Sequence, residues 1–251
     1  MKAQVIEVTG YVPAIASLYV TKRNLDQARL EDIKYHVAVS TDRWGRVINP
    51  TKEFNEYMDK VIKYGVRFEH EKILEFIKII VFMEGLHRGG QDDYDAHSKR
   101  MTIIRSSTRA SKKSSDVPEI SDYYKDKILP LFKIRDKLPQ EIDKYVLTSW
   151  GYVRKDLIDN PDVLRGNVGL SCACDNISEM SFRDWRYVYH LRRKGTHAAP
   201  ELQEAVEQVR KDLYNFCPQL GDMLGKVWCP ADTNEGGFFY ERNKVKYTPI
   251  K

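Results

Sequence analysis

The sequence predicts a mixed α+β protein in which helices dominate. Three observations carry this: two stretches with 3.6-residue apolar periodicity, a third helical pattern between them, and short strand-like runs near the N-terminus. At 251 residues, with 42% apolar and 11% aromatic content, the chain is long enough to bury a real core.

In chain order, "AQVIEV" (3–8) and "YHVAVSTDRWGRV" (35–47) have the composition of strands, with "DRWGR" as a turn. From Asn49-Pro50-Thr51 to Gly65, Phe54, Tyr57, Met58, Val61 and Ile62 recur at the spacing of one buried helix face, with proline near the start and glycine at the end. Residues 71–84, "EKILEFIKIIVFME", are apolar with weaker periodicity and fit either a buried helix or a strand leading into one. Residues 181–195, "SFRDWRYVYHLRRKG", read as a helix with Phe182, Trp185 and Tyr189 inward and Gly195 closing it, so Arg183, Arg186, Arg192 and Arg193 hang from a scaffold. The clearest helix starts near Pro200 and runs through Leu202, Ala205, Val206, Val209, Leu213 and Phe216 to a stop at Pro218. "RSSTRASKKSSD" (105–116) reads as an exposed basic loop, and the C-terminal "GGFFYERNKVKYTPIK" as a hairpin or an ordered tail.

Composition narrows the partners only loosely. Forty-one basic residues against 36 acidic give a formal charge of +5, which suits an anionic small molecule as well as nucleic acid; a non-catalytic nucleic-acid-binding module whose basic loops interleave with tyrosines is the lesser alternative, since the basic excess is dispersed and no recognised nucleic-acid motif is present. No long apolar run is present and the N-terminus lacks a leader pattern, so the expectation is a cytoplasmic protein that does not enter the membrane. The cysteines Cys172, Cys174, Cys217 and Cys229 are too few for a disulfide framework and lack zinc-knuckle spacing, so reduced thiols are expected.

The segment with the most chemistry is "LHRGGQDDYDAHSKR" (86–100). His87, Asp92, Asp93, Asp95 and His97 are metal-ligand types, but their spacing matches neither a helical histidine pair nor a calcium loop, and no metal is assigned. Taken alone the segment reads as a solvated loop with aspartates as turn-formers. A phosphate reading gains from Ser98-Lys99-Arg100, with Arg165 and Arg192 able to supply further planar, permanent charge.

The stretch "HLRRKGTHAAPELQEAVEQVRKDLYNFCPQL" (190–220) resembles the C-terminal part of the flavin-dependent thymidylate synthases, and "DVLRGNVG" (162–169) looks like that family's segment with a second substrate-binding arginine, which falls on Arg165. The family's signature is Arg-His-Arg, seven residues, then Ser, soon followed by Arg. Here Arg88 is followed ten positions later by Ser98 and then by Lys99-Arg100, whereas Gly89-Gly90 stand where the family has His-Arg. "YGVRFEHEK" (64–72) is similar to the family's Phe-Glu-His segment.

The resemblance implies a compact helix-rich α+β domain with a central mixed or antiparallel sheet, spanning 1–251 with 221–251 as a C-terminal extension, and assembled as a homotetramer. It implies conversion of dUMP to dTMP with methylenetetrahydrofolate as one-carbon donor and FAD reduced by NADPH. Ser98, Lys99, Arg100 and Arg165 would hold the dUMP phosphate. Arg192 would lie near the uracil and be the catalytic arginine, and His70, Arg88 and Arg183 would contact FAD. The Gly89-Gly90 departure keeps a rival open, another C5 modification of a pyrimidine nucleotide, such as hydroxymethylation, with altered or lost flavin use.

Overall fold

The structure, a computed structural model, describes residues 1–67, 70–106, 122–123, 126, 145–148, 151–154, 173–230 and 245–249. The elements in order are β1 (Lys2–Thr9), α1 (Tyr11–Val20), α2 (Gln27–Ser40), α3 (Lys52–Ile62), β2 (Lys78–His87), α4 (Arg88–Asp95), β3 (Met101–Arg105), β4 (Tyr145–Thr148), β5 (Gly151–Arg154), β6 (Ala173–Ser181), α5 (Phe182–Arg192), α6 (Pro200–Phe216), α7 (Pro218–Gly225), β7 (Lys226–Pro230) and β8 (Val245–Pro249). A four-stranded sheet has the order β1-β2-β6-β3, and β4 with β5 and β7 with β8 form antiparallel pairs. The chain is thus α+β and rich in helix, as the sequence predicts.

It divides into two compact units, one of Met1–Gln4, Val81–Ser178 and Arg192–Gln208, the other of Val5–Ile80, Glu179–Leu191 and Val209–Lys251. In the second unit α1, α2 and α3 pack on one another, with Tyr11 and Phe54 meeting edge to face at 5.8 Å. Ile15, Ile33, Met58 and Val61 are fully buried there, each such side chain stabilising the fold by about 1.5–3 kcal/mol. Helix α3 starts where predicted because Thr51 caps it, its hydroxyl accepting from the N–H of Phe54 at 3.0 Å, and it runs into a π turn at Lys63–Arg67 that contains Gly65. Helix α5 buries Phe182, Trp185 and Tyr189 as expected, and α6 buries the whole predicted stripe.

Several expectations are corrected. Tyr35–Ser40, read as a strand, forms the last turns of α2; Asp26 caps that helix by accepting from Arg29 N–H at 2.8 Å, and Ile33 and Ser40 face inward at helical spacing, so the aromatic and β-branched run is carried along by the cap upstream. The "DRWGR" turn holds: Asp42 accepts from the N–H groups of Trp44 and Arg46, each at 2.9 Å, and Thr41 bridges to Val47. The helix from Pro200 ends at Phe216, before Pro218 as expected, and Pro218 then opens the further helix α7, as a first-turn proline can, with Leu220 and Leu224 buried. Residues 71–84 resolve into a 3₁₀ turn at Glu71–Glu75 followed by β2. The C-terminal run contributes β8, which pairs with β7, a strand upstream of that run, while 236–244 lie outside the described residues. Helix α1 and strand β6 have no counterpart among the predicted elements. Among the described residues no helix is long and apolar enough to cross a membrane. The basic run 105–116 lies outside the described residues beyond Ser106.

Candidate functional site

Strand β2 delivers the site. Its buried positions are Ile79, Val81 and Met83, then Leu86, and the change of phase occurs at Gly85, whose φ of +70° favours glycine and whose N–H donates to Asp175 Oδ1 at 2.7 Å. The strand therefore ends with His87 placed at the start of α4. The segment 86–100, expected to be a phosphate-facing loop, is a strand end, a helix and the 3₁₀ turn Ser98–Arg100.

The aspartates of α4 are ion-pair partners rather than turn-formers. Asp92 lies 3.5 Å from Arg88 Nε on the exposed side, one helical turn away and weakly coupled. Asp95 pairs with Arg105 and accepts from Gln91 Nε2 at 2.8 Å. Asp93 turns inward, 2.7 Å from an Nη of Arg192, and its other oxygen accepts the backbone N–H of Ala199 at 3.2 Å. Beneath the helix, Gln91 accepts from Asn176 Nδ2 at 2.6 Å, and Tyr94 shares a hydrogen with Ser178 at 2.8 Å; all four side chains are buried. Burial pushes the Tyr94 phenol above its ordinary range, against the opposing bond to Ser178.

His97 is the hinge of the arrangement. It is 5% exposed, its carbonyl accepts the N–H of Arg100 at 2.8 Å to close the Ser98–Arg100 turn, and its Nε2 accepts from Arg192 Nε at 3.0 Å. Burial first, then Arg192 and Arg100, against the opposing pull of Asp93, lower its imidazolium to about 4, so it is a neutral acceptor near pH 7. The turn Ser98-Lys99-Arg100, all exposed, and the half-buried Arg192 are thereby tied to one buried residue, the turn through its backbone carbonyl and Arg192 through its ring. Four of the five residues expected at the nucleotide come together in this way. The fifth, Arg165, lies outside the described residues.

A second buried pair lies beside them. Glu201, in the first turn of α6 and fully buried, accepts the backbone N–H of His87 at 2.8 Å and bonds its ring Nδ1 with the same oxygen. A Cβ on Gly90 would stand 3.1 Å from both His87 Cε1 and Leu86 Cδ1, so the second glycine leaves the ring its room. His87 and Glu201 were not singled out as a pair by sequence, because 114 positions separate them; the only signal was a glutamate next to Pro200 at a helix start.

The residues expected at FAD are placed differently. Arg88 opens α4 and pairs with Asp92. In the other unit Arg183 is bonded through Nε to Glu71 at 3.0 Å and through an Nη to Glu75, and Glu71 also lies 3.8 Å from Arg186. Its fork already meets carboxylates, which is the pattern of a fold-stabilising arginine. His70 is exposed at the entrance to the 3₁₀ turn, its N–H donating to Tyr64 O at 3.1 Å. Among the described residues no group of three His, Cys, Asp or Glu side chains could hold a metal ion.

No sequence-family description and no curated protein sequence matches the chain. Solved structures do. Thymidylate synthase X (ThyX) from Helicobacter pylori, crystallised with FAD and dUMP, superposes with a TM-score of 0.54 over 88% of this chain and 99% of that one at 14% identity. A second crystal structure of the flavin-dependent enzyme ThyX from that organism with the same ligands gives 0.54 over 87% and 99% at 13% identity. The UMP/dUMP methylase PolB from Streptomyces cacaoi, bound with 5-Br dUMP, gives 0.54 over 88% and 92% at 11% identity. At such identities the likeness speaks for architecture. The chain has the fold of the flavin-dependent thymidylate synthases.

Proposed function

We propose that the protein is a flavin-dependent thymidylate synthase, converting dUMP to dTMP with methylenetetrahydrofolate as one-carbon donor and FAD with NADPH as its redox supply. The observation that carries the proposal is the gathering of Ser98, Lys99, Arg100 and Arg192 around His97. A dianionic phosphate finds there two flexible cations and a hydroxyl on one tight turn, and the charge-assisted bonds such groups make are roughly twice as strong as neutral ones. Arg192, held at Nε and one Nη, has a planar fork suited to a carbonyl or phosphate oxygen of the same ligand. Arg165 completes the anion site in the proposal.

The chain's own residues account better for nucleotide anchoring than for flavin chemistry, since Arg183 is engaged with Glu71 and Glu75. That observation, with the packing of Gly90 against His87, favours a second reading in which the same scaffold performs another C5 modification of UMP or dUMP with altered or lost flavin use. In the first reading His70, Arg88 and Arg183 contact FAD in a homotetramer.

The test is a visible absorption spectrum of the purified protein before and after FAD and then dUMP, followed by product analysis from dUMP and methylenetetrahydrofolate with and without NADPH. Flavin bands that stay with the protein through gel filtration and shift on adding dUMP, with dTMP formed only when NADPH is present, support the synthase. A colourless protein that binds dUMP and yields a different C5 product supports the second reading. Arg192→Ala is expected to weaken dUMP binding more than about tenfold, the loss of about 1.4 kcal/mol that removal of a charge-assisted contact brings. Unchanged binding in that variant would remove Arg192 from the site.

A further inference from the structure

Arg192 has two partners for its guanidinium among the described residues, and neither is on its own helix. Nε–H donates to Nε2 of His97 at 3.0 Å, and one Nη lies 2.7 Å from Oδ1 of Asp93. Two attachments at adjacent corners of a planar group fix its plane as well as its position. The remaining corner, the second Nη, is left to meet a ligand. Both holders are themselves anchored: Asp93 by the N–H of Ala199 at 3.2 Å, and His97 by its burial and by the turn its carbonyl closes with Arg100.

His97 can accept from Arg192 only as a neutral imidazole with its proton on Nδ1, because the acceptor nitrogen must carry a lone pair. A carboxylate in this place would neutralise the arginine twice over and compete with an incoming anion. A neutral acceptor orients the cation and leaves its charge for the ligand.

We infer that His97 is a positioning residue of the nucleotide site: buried behind Arg192, it holds the guanidinium, together with Asp93, so that the second Nη faces an acceptor oxygen of a nucleoside monophosphate. The inference rests on the nucleotide-binding part of the proposed function and adds a residue that never touches the nucleotide. Holding the donor in place before the ligand arrives removes an ordering cost from binding.

The experiment is calorimetric titration of the full chain with dUMP. It uses the parent protein, His97→Gln, His97→Leu, His97→Asn, Arg192→Ala and the double variant of His97→Leu with Arg192→Ala. All are measured at a temperature where thermal unfolding shows each to be folded. Glutamine carries an amide oxygen able to reach Arg192 Nε–H, whereas leucine has no acceptor and asparagine is too short. His97→Leu and His97→Asn are expected to weaken dUMP binding about fivefold or more, His97→Gln less than about threefold, and His97→Leu is expected to add nothing once Arg192 is alanine. Should leucine fail to fold, the contrast between glutamine and asparagine carries the same test. Equal binding by the parent, glutamine and asparagine variants overturns the role of His97 while leaving the nucleotide reading intact. Equal losses from His97→Leu with and without Arg192 make His97 a purely structural residue and overturn it as well. A parent protein that does not bind dUMP overturns the nucleotide reading, and this inference with it.

Discussion

Replacing Glu201 with alanine tests whether the buried His87–Glu201 pair holds the entrance of α4 to the start of α6. Glu201 is fully buried, and the His87 side chain is 14% exposed. The substitution removes the acceptor of a backbone N–H, leaving a donor stranded at a cost of about 1–3 kcal/mol, and it removes a charge-assisted bond to the ring worth about 1.5–3 kcal/mol. Against this stands relief from burying a carboxylate whose Oε1 has no hydrogen-bond partner among the described residues. The net expectation is about 2–4 kcal/mol lost, read as a fall in the urea midpoint at constant m-value at pH 7. Adding His87→Leu to Glu201→Leu should cost less than the two single changes summed, because the pair is then removed together and only the backbone N–H of His87 stays unsatisfied. A loss below about 0.5 kcal/mol for Glu201→Ala, or strict additivity in the double variant, would refute the reasoning.

In the same urea assay Gly90→Ala sets a helix-propensity gain of about 1 kcal/mol against a tight contact 3.1 Å from His87 and Leu86, so the substitution should be more favourable in a His87→Ala background, where the ring is gone, than in the parent. The lowered His97 imidazolium gives a pH dependence of known sign. The unfolded chain binds a proton near pH 6.5 and the folded chain only near about 4, so stability rises with pH across that window, by at most about 1.4 kcal/mol per unit from this group. His97→Leu should flatten that slope in unfolding curves taken at pH 4, 5, 6 and 7. An unchanged slope would mean that the folded chain protonates His97 as readily as the unfolded one. Arg183→Ala should cost about 1 kcal/mol of thermal stability, as partly exposed ion pairs with Glu71 and Glu75 are lost. If Arg183 also serves FAD, the same variant should lose flavin on gel filtration at temperatures where it remains folded.

How much was legible in the sequence depended on whether a residue's partner was near in the chain or apolar. Helices α3, α5 and α6 could be read because their buried faces are apolar at helical spacing and their ends carry caps or breakers. Strand β6 could not. Its inward positions are Cys174, Asn176, Ser178 and Met180, while Ile177 points outward at 40% exposure, so the alternation of apolar and polar residues runs opposite to the usual rule. Those inward polar groups are tolerated because Gln91 and Tyr94 answer them from α4, contacts 85 and 84 positions away. In the same way Ser98, Lys99, Arg100 and Arg192 were identified from a resemblance in order and spacing, but the device that joins them, His97, was weighed only as a metal-ligand type. Its burial and its bond to Arg192 belong to tertiary structure, 95 positions apart.

The two glycines that interrupt the family signature acquire a different meaning from their surroundings. A helix that begins Arg-Gly-Gly gives up about 1 kcal/mol per glycine relative to alanine. At Gly90 the Cβ of an alanine would stand 3.1 Å from His87 and Leu86, tight enough that they must give by a few tenths of an ångström, so packing opposes the intrinsic preference beside the imidazole bonded to Glu201. The cation that His-Arg would supply at this point is absent, yet a titratable ring stands one residue before Arg88, fixed by a carboxylate from α6. The helix so formed, through Asp93, also holds Arg192, so the Gly-Gly start of α4 and the placement of Arg192 belong to one piece of architecture.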